Sequence, residues 1–157
     1  MKSKSVHLES HCAIKASREE IYKIMTDFEK LPEYFPSVAK SVKIISRIGN
    51  DFVVEAKTKA FLGSGEFAVR MEGRLQPPKG FVSTNTSAIC IEHESFLMEE
   101  VPEGTMINYT NDVEIKNPFF CAFSFLITFA ALRYWQRAVF NKLKLMLENK
   151  TDPAIPA

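Results

Sequence analysis

After Pro118 no Gly or Pro appears until Pro153. A breaker-free stretch of this length reads as one long helix over 117–150, with a tail over 151–157. Asn117 supplies the cap and Pro118 the first helical position. From Phe119 to Leu132 no residue is charged; from Arg133 onward the pattern is amphipathic. Projected at ~100° per residue, one face carries Cys121, Phe125, Thr128, Phe129, Leu132, Gln136, Val139, Leu143 and Met146. That face is expected to lie on the rest of the chain. The opposite face carries Arg133, Arg137, Lys144 and Glu148 in the second half, and Phe119, Phe123, Leu126 and Ala130 in the first. The uncharged run is shorter than the ~20 residues a spanning helix needs. The apolar outer start is therefore a candidate contact with a membrane surface, a second copy or the chain itself.

Upstream, Val6 to Ile14 alternates as a strand, with Val6, Leu8, Ser10, Cys12 and Ile14 on one side. Ser17 and Glu20 form a capping box before Ile21, Ile24, Met25 and Phe28 at helical spacing. A second short helix or turn, Leu31 to Phe35, lies between Pro32 and Pro36. Strands follow. Val42, Ile44, Ser46 and Ile48 share one side of the next strand, and Gly49-Asn50 is a hairpin turn. Phe52, Val54, Ala56, Thr58 and Ala60 share one side of its partner. After a loop containing Phe61 and Leu62, Phe67, Val69, Met71, Gly73 and Leu75 alternate most regularly. A turn at Pro77 to Gly80 leads to a strand over Phe81 to Ser87, then one from Glu94 to Val101. The last runs from Met106 to Lys116, with Ile107, Tyr109, Asn111, Val113 and Ile115 on one side. An antiparallel sheet with one apolar face must cover it, and the long helix is the element large enough. The space between a curved sheet and one helix is the natural ligand site.

The whole chain of 157 residues fits one domain, 1–157. Its formal net charge of +1 gives no reason to expect nucleic acid or a strongly acidic partner. The N-terminus does not read as a signal peptide, and Cys12, Cys90 and Cys121 lack metal-ligand spacing. Buried reduced thiols in a cytoplasmic protein are expected. His7 and His11 fall on the outer side of the first strand, ~13 Å apart and too far for one ion. His93-Glu94 reads as surface at a strand start. No phosphate loop, nucleophile elbow or zinc-protease motif is present, and neither metal nor cofactor is expected.

The segment Asp27-Phe28-Glu29-Lys30-Leu31-Pro32-Glu33-Tyr34-Phe35-Pro36-Ser37-Val38 resembles the region after the first helix of START-like proteins. That superfamily includes the birch-pollen allergen fold, the polyketide cyclase/dehydrase family and the coenzyme-Q-binding proteins. Ala16 to Tyr22 is similar to its first helix start, and Glu100 to Thr105 to its turn before the last strand. The resemblance implies an α+β helix-grip fold: a curved seven-stranded antiparallel sheet with two short helices, gripping the C-terminal helix around an apolar cavity. It also implies a hydrophobic small-molecule ligand, such as a lipid, an isoprenoid or a polyketide.

The expected lining is Val54, Ala56, Thr58, Phe67, Val69, Met71, Tyr109, Asn111, Phe125, Thr128, Phe129, Leu132 and Gln136, with Phe61 and Leu62 at the rim. Within it the polar groups, Tyr109 and Asn111 above all, either orient a ligand or satisfy one another. A cyclase or dehydrase needs an acid or base inside the cavity. No inward carboxylate or histidine is identified, so the enzyme stands behind the carrier as an alternative. An interaction module using Phe119, Phe123 and Leu126 is a third reading.

Overall fold

The computed structural model describes residues 5–59, 65–116 and 121–149; the side chains of residues 121–125, 127 and 128 fall outside that description. In chain order the elements are β1 (Ser5–Ile14), α1 (Arg18–Thr26), a single 3-10 turn (Phe28–Lys30), α2 (Leu31–Tyr34), β2 (Ala39–Ile48), β3 (Asp51–Lys59), β4 (Glu66–Gln76), β5 (Gly80–Ser87), β6 (Cys90–Val101), β7 (Gly104–Ile115) and α3 (Cys121–Glu148). The seven strands form one antiparallel sheet in the order β1-β7-β6-β5-β4-β3-β2. Only the first strand departs from sequence order, because it pairs with the last. This is the expected helix-grip arrangement.

Local chemistry sets the element ends. The capping box forms: Ser17 Oγ accepts from the Glu20 backbone N–H at 3.3 Å, and the Glu20 carboxylate accepts from the Ser17 N–H at 3.1 Å. Gly104 opens β7 at φ 141°, and a Cβ there would sit 2.3 Å from the Ile14 carbonyl oxygen. That close approach lets the end of β1 lie against the start of β7. Thr105 Oγ1 then donates to the Ala16 carbonyl at 2.8 Å, fixing the chain as it leaves β1. At the far end of α3, Glu148 accepts from the Lys15 N–H at 3.1 Å. Glu148 and Lys144 are therefore half-buried against the end of β1, not on an open outer face as the helical projection places them.

One half of the concave face is filled. Phe28, Phe52, Phe81 and Phe96 form a continuous aromatic stack, with ring centroids 4.7 Å apart for Phe28–Phe52 and 5.5 Å apart for Phe81–Phe96. Gly73 makes room for it: a Cβ there would stand 2.7 Å from the Phe52 ring. Val139, Phe140, Leu143 and Leu147 of α3 close over this stack, all buried. Phe140 and Leu147 join the predicted stripe of Val139 and Leu143, because i, i+4 neighbours widen the buried face.

The alternation expected in β2 breaks. The register with β3 shifts between Ile44 and Ser46, a bulge at Ile45 that reverses the facing of the residues after it, so that Ser46 pairs with Val53 and Ile48 with Asp51. Val42 and Ile44 remain against the core, whereas Ile48, predicted on their side, is 77% exposed at the hairpin.

Candidate ligand-binding site

Beyond the aromatic half, the concave face turns polar. The pairing registers align Ser83, Glu94 and Asn111 in one row across β5, β6 and β7, and Asn85, Glu92 and Val113 in the next. Alternation points Ser83, Asn85, Glu92, Glu94, Tyr109 and Asn111 to the same side as Phe81, Phe96 and Ile107. Glu94 accepts from Asn85 Nδ2 at 2.9 Å and from Ser83 Oγ at 3.4 Å, and it hydrogen-bonds the Tyr109 hydroxyl. Glu92 accepts from Asn111 Nδ2 at 3.3 Å and from the Cys90 thiol at 3.4 Å, and Asn85 reaches it as well. The two carboxyls thus share one network through the Asn85 amide.

Every one of those partners is neutral. Burial pushes both carboxyls above the usual carboxylate range, and the Glu92 charge raises Glu94 further. Burial likewise drives the Tyr109 hydroxyl well above its ordinary value, with both glutamates adding to it. The Cys90 thiol is pushed up to about 11, mainly by burial and next by Glu92, so it is a poor nucleophile at neutral pH.

Three polar atoms on these walls have no hydrogen-bond partner: Thr58 Oγ1, Asn111 Oδ1 and Gln136 Nε2. Asn111 is 1% exposed and Gln136 3%. Tyr109 packs on both Trp135 and Phe140, at centroid distances of 5.7 and 6.0 Å. Those two residues flank Gln136 on α3, which seats Gln136 on the sheet near Tyr109. Toward the 59–66 end, Thr58, Phe67, Val69 and Met71 stay partly accessible, as do Phe129 and Leu132 of α3. Val54 and Ala56 are buried. The concave side is therefore filled by aromatics at one end; at the other Val6, Cys90 and Val113 make a small second core that Leu132 packs on, beside the partly accessible residues of β3 and β4.

Of the predicted lining, Val54, Ala56, Thr58, Phe67, Val69, Met71, Tyr109 and Asn111 all lie on the concave face, and Gln136 faces it from the helix. The side chains of Phe125 and Thr128 lie outside the described residues, as do Phe61, Leu62, Phe119 and Phe123 and the cap at Asn117. On the outer face of α3, Leu126 is 72% exposed and Ala130 is exposed.

Two expectations are overturned. β6 starts at Cys90, four residues before the predicted start, and Glu94 is buried where a surface residue was expected. With Glu92 it supplies the inward carboxyls that the sequence reading did not identify. Ser83 and Asn85 were also missed, since no face was assigned to β5. The usable signal is the phase fixed by Phe96 and Met98. Two steps back along the strand it reaches Glu94 and then Glu92. His93 points to the convex side, as expected. There a shallow groove of about 470 Å³ is lined by Glu72, Arg74, Thr84, His93, Thr110 and Asp112 among others, charged and hydroxyl groups unsuited to an apolar ligand. Cys12 is half-buried and Cys90 buried, both as free thiols.

The model of the family described as polyketide cyclase / dehydrase and lipid transport matches residues 14–123, more than half of the chain. The chain belongs to that family. Among solved structures, the Zhui aromatase/cyclase from Streptomyces sp. R1128 superimposes with a TM-score of 0.80 at 13% identity, over 98% of this chain and 100% of that one. A START superfamily protein from Mycobacterium smegmatis gives 0.70 at 17% identity, over 94% and 99%. The ginseng major latex-like protein 151 from Panax ginseng gives 0.70 at 10% identity, over 91% and 97%. At these identities the likeness establishes the shared fold. No curated protein matches the chain. As a polyketide cyclase/dehydrase and lipid transport family member, the chain keeps the sheet-and-helix frame, and its concave side carries the Glu92–Glu94 network described above. Among the described residues, no helix is long and apolar enough to cross a membrane, and no cluster of His, Cys, Asp and Glu could hold a metal ion.

Proposed function

We propose that the chain binds a largely apolar, oxygen-bearing small molecule in the open half of the concavity. The supporting observation is the set of three unpartnered polar atoms on facing walls, Thr58 Oγ1, Asn111 Oδ1 and Gln136 Nε2. A buried polar atom without a partner costs roughly 1–3 kcal/mol, and a ligand offering a hydroxyl and a carbonyl removes that cost. Apolar contact with Val69, Met71, Phe129 and Leu132 then supplies most of the affinity, at ~25 cal/mol per Å². The family's lipid-transport members and the fold's ligand-binding architecture agree with this reading. Native mass spectrometry of the protein isolated from its own host tests it. A co-purifying lipophilic species is the expected result; a protein that stays at its bare mass after exposure to a host lipid extract rules it out.

The buried carboxyl pair favours a second reading, acid–base catalysis of the cyclase/dehydrase kind named for the family. In the dehydration of a β-hydroxyketone, a carboxylate takes the α proton and, as the acid so formed, gives it to the departing hydroxyl. Water leaves and the double bond forms between the two carbons. Glu92, partly accessible on the inner face, is the residue placed to meet a substrate, with Glu94 buried beside it and sharing Asn85. Incubation with a β-hydroxyketone and detection of water loss by mass tests this. Turnover that survives Glu92→Gln and Glu94→Gln would remove the carboxyls from the chemistry.

A further inference from the structure

We infer that the cavity is selective by charge: it accepts uncharged lipophiles such as long-chain alcohols, ketones and phenols, and rejects those carrying a carboxylate or phosphate. The inference rests on the binding reading above and narrows it to a ligand class. Glu92 and Glu94 lie two residues apart on the inner side of β6, with Asn85 and Ser83 on one flank and Asn111 and Tyr109 on the other. From β5 the facing groups are Ser83 and Asn85; from β6, Cys90; from β7, Tyr109 and Asn111. From α3, Gln136 packs beside them. None of these is a cation.

The nearest lysine acting on this row is Lys116, whose Nζ donates to the Ser87 carbonyl at 2.6 Å and whose charge reaches Cys90. Among the described residues neither glutamate forms an ion pair or hydrogen bond with a lysine or arginine; the partners are Asn85, Ser83, Tyr109, Asn111 and Cys90. A cavity able to hold a fatty acid or a prenyl phosphate needs a positive charge or a row of free donors to replace the water that the anion loses. The network offers two carboxyls instead, and the Arg133 guanidinium, 5.3 Å over the Phe129 ring, belongs to an exposed residue. Of the three unpartnered atoms, Asn111 Oδ1 can only accept, whereas Gln136 Nε2 donates and the Thr58 hydroxyl can do either. That set matches a neutral hydroxyl or carbonyl. Glu92 keeps part of its surface accessible while Glu94 does not, so Glu92 is the carboxyl a ligand meets. Its raised proton affinity lets it meet the ligand as a neutral donor.

Displacement of Nile red, an uncharged fluorescent lipophile, tests the inference with matched competitors of one chain length: hexadecanol, hexadecanoate and hexadecylamine. Farnesol and farnesyl phosphate form a second pair. The alcohols are expected to displace the dye, and each anion to be weaker by on the order of 100-fold, because it gives up its water without gaining a cation. Raising the pH through the Glu92 titration should weaken hexadecanol, because its donor is lost. Glu92→Gln, checked for folding by its melting curve, should remove that pH dependence and narrow the gap between alcohol and acid. If the variant does not fold, the wild-type comparison of alcohol with acid still decides. Hexadecanoate binding as tightly as hexadecanol overturns the charge selection and leaves the binding reading standing. Hexadecylamine binding best, and tightening as the pH rises, overturns the claim that the ligand is uncharged. Failure of Nile red and of every competitor to bind removes both the inference and the reading beneath it.

Discussion

Replacing Glu94 by Gln keeps the shape of a fully enclosed side chain and deletes its ability to ionise. Glu94 accepts from Asn85 Nδ2 at 2.9 Å and Ser83 Oγ at 3.4 Å. A glutamine oxygen retains the Asn85 bond, and the Ser83 or Tyr109 hydroxyl can turn to accept from the new amide. The hydrogen-bond loss is therefore about one bond, ~1 kcal/mol. Against it stands the proton. Burial raises the folded-state pKa of Glu94 above its unfolded value. Between those two values the folded state holds a proton that the unfolded chain has released. Stability is therefore greatest at and below the unfolded value and falls as the pH rises toward the folded one. The slope for one carboxyl is about 1.4 kcal/mol per pH unit. The variant lacks this slope, so it should be slightly less stable than wild type in acid and overtake it as the pH increases. Urea unfolding followed by tryptophan fluorescence, in buffers from about pH 4 to about pH 9, reads both curves across the carboxyl range. Parallel curves would refute the reasoning, since they would mean that Glu94 ionises as easily folded as unfolded. A loss of more than ~3 kcal/mol at every pH would do the same, because that is the mark of a charge needed by a buried partner.

Two further substitutions probe the frame. Gly73→Ala places a methyl 2.4 Å from the Val82 carbonyl oxygen and 2.7 Å from the Phe52 ring. Backbone cannot yield as a side chain does, so a loss of roughly 1–3 kcal/mol is expected in chemical denaturation; an unchanged midpoint would show that the aromatic stack does not depend on the gap. On the convex face, Asp112 holds the His7 pKa above its ordinary value through a 2.6 Å hydrogen bond and its charge. Asp112→Asn should move the His7 titration to lower pH in an NMR series, and an unmoved curve would mean the pair does not persist in solution.

Much of the architecture is legible in the residues because few alternatives satisfy them. A breaker-free terminal segment, a capping box at Ser17 and Glu20, and clean alternation from Phe67 to Leu75 each allow one local structure. Tyr109 and Asn111 are assigned correctly to the core side because Ile107 and Val113 flank them with an unambiguous phase. The carboxyls of β6 escape for the opposite reason. Over Cys90 to Ser95 both faces mix apolar and polar residues, so period-two counting has no preferred phase. A glutamate also argues for solvent unless partners are known. Those partners, Asn85 and Asn111, lie on neighbouring strands and are brought to Glu92 and Glu94 only by register, which composition does not reveal. The bulge between Ile44 and Ser46 is likewise a pairing event with no mark in the local pattern.

The division of the concave side has a bearing on how such a chain can change over time. Phe28, Phe52, Phe81 and Phe96 together with the last turns of α3 hold the sheet and helix in place by themselves. Residues such as Thr58, Phe67 and Val69, outside both core clusters, are then less bound to that duty. Mutations among them can reshape that part of the concave side while the aromatic scaffold stays intact, so a new inner surface need not wait for a new fold.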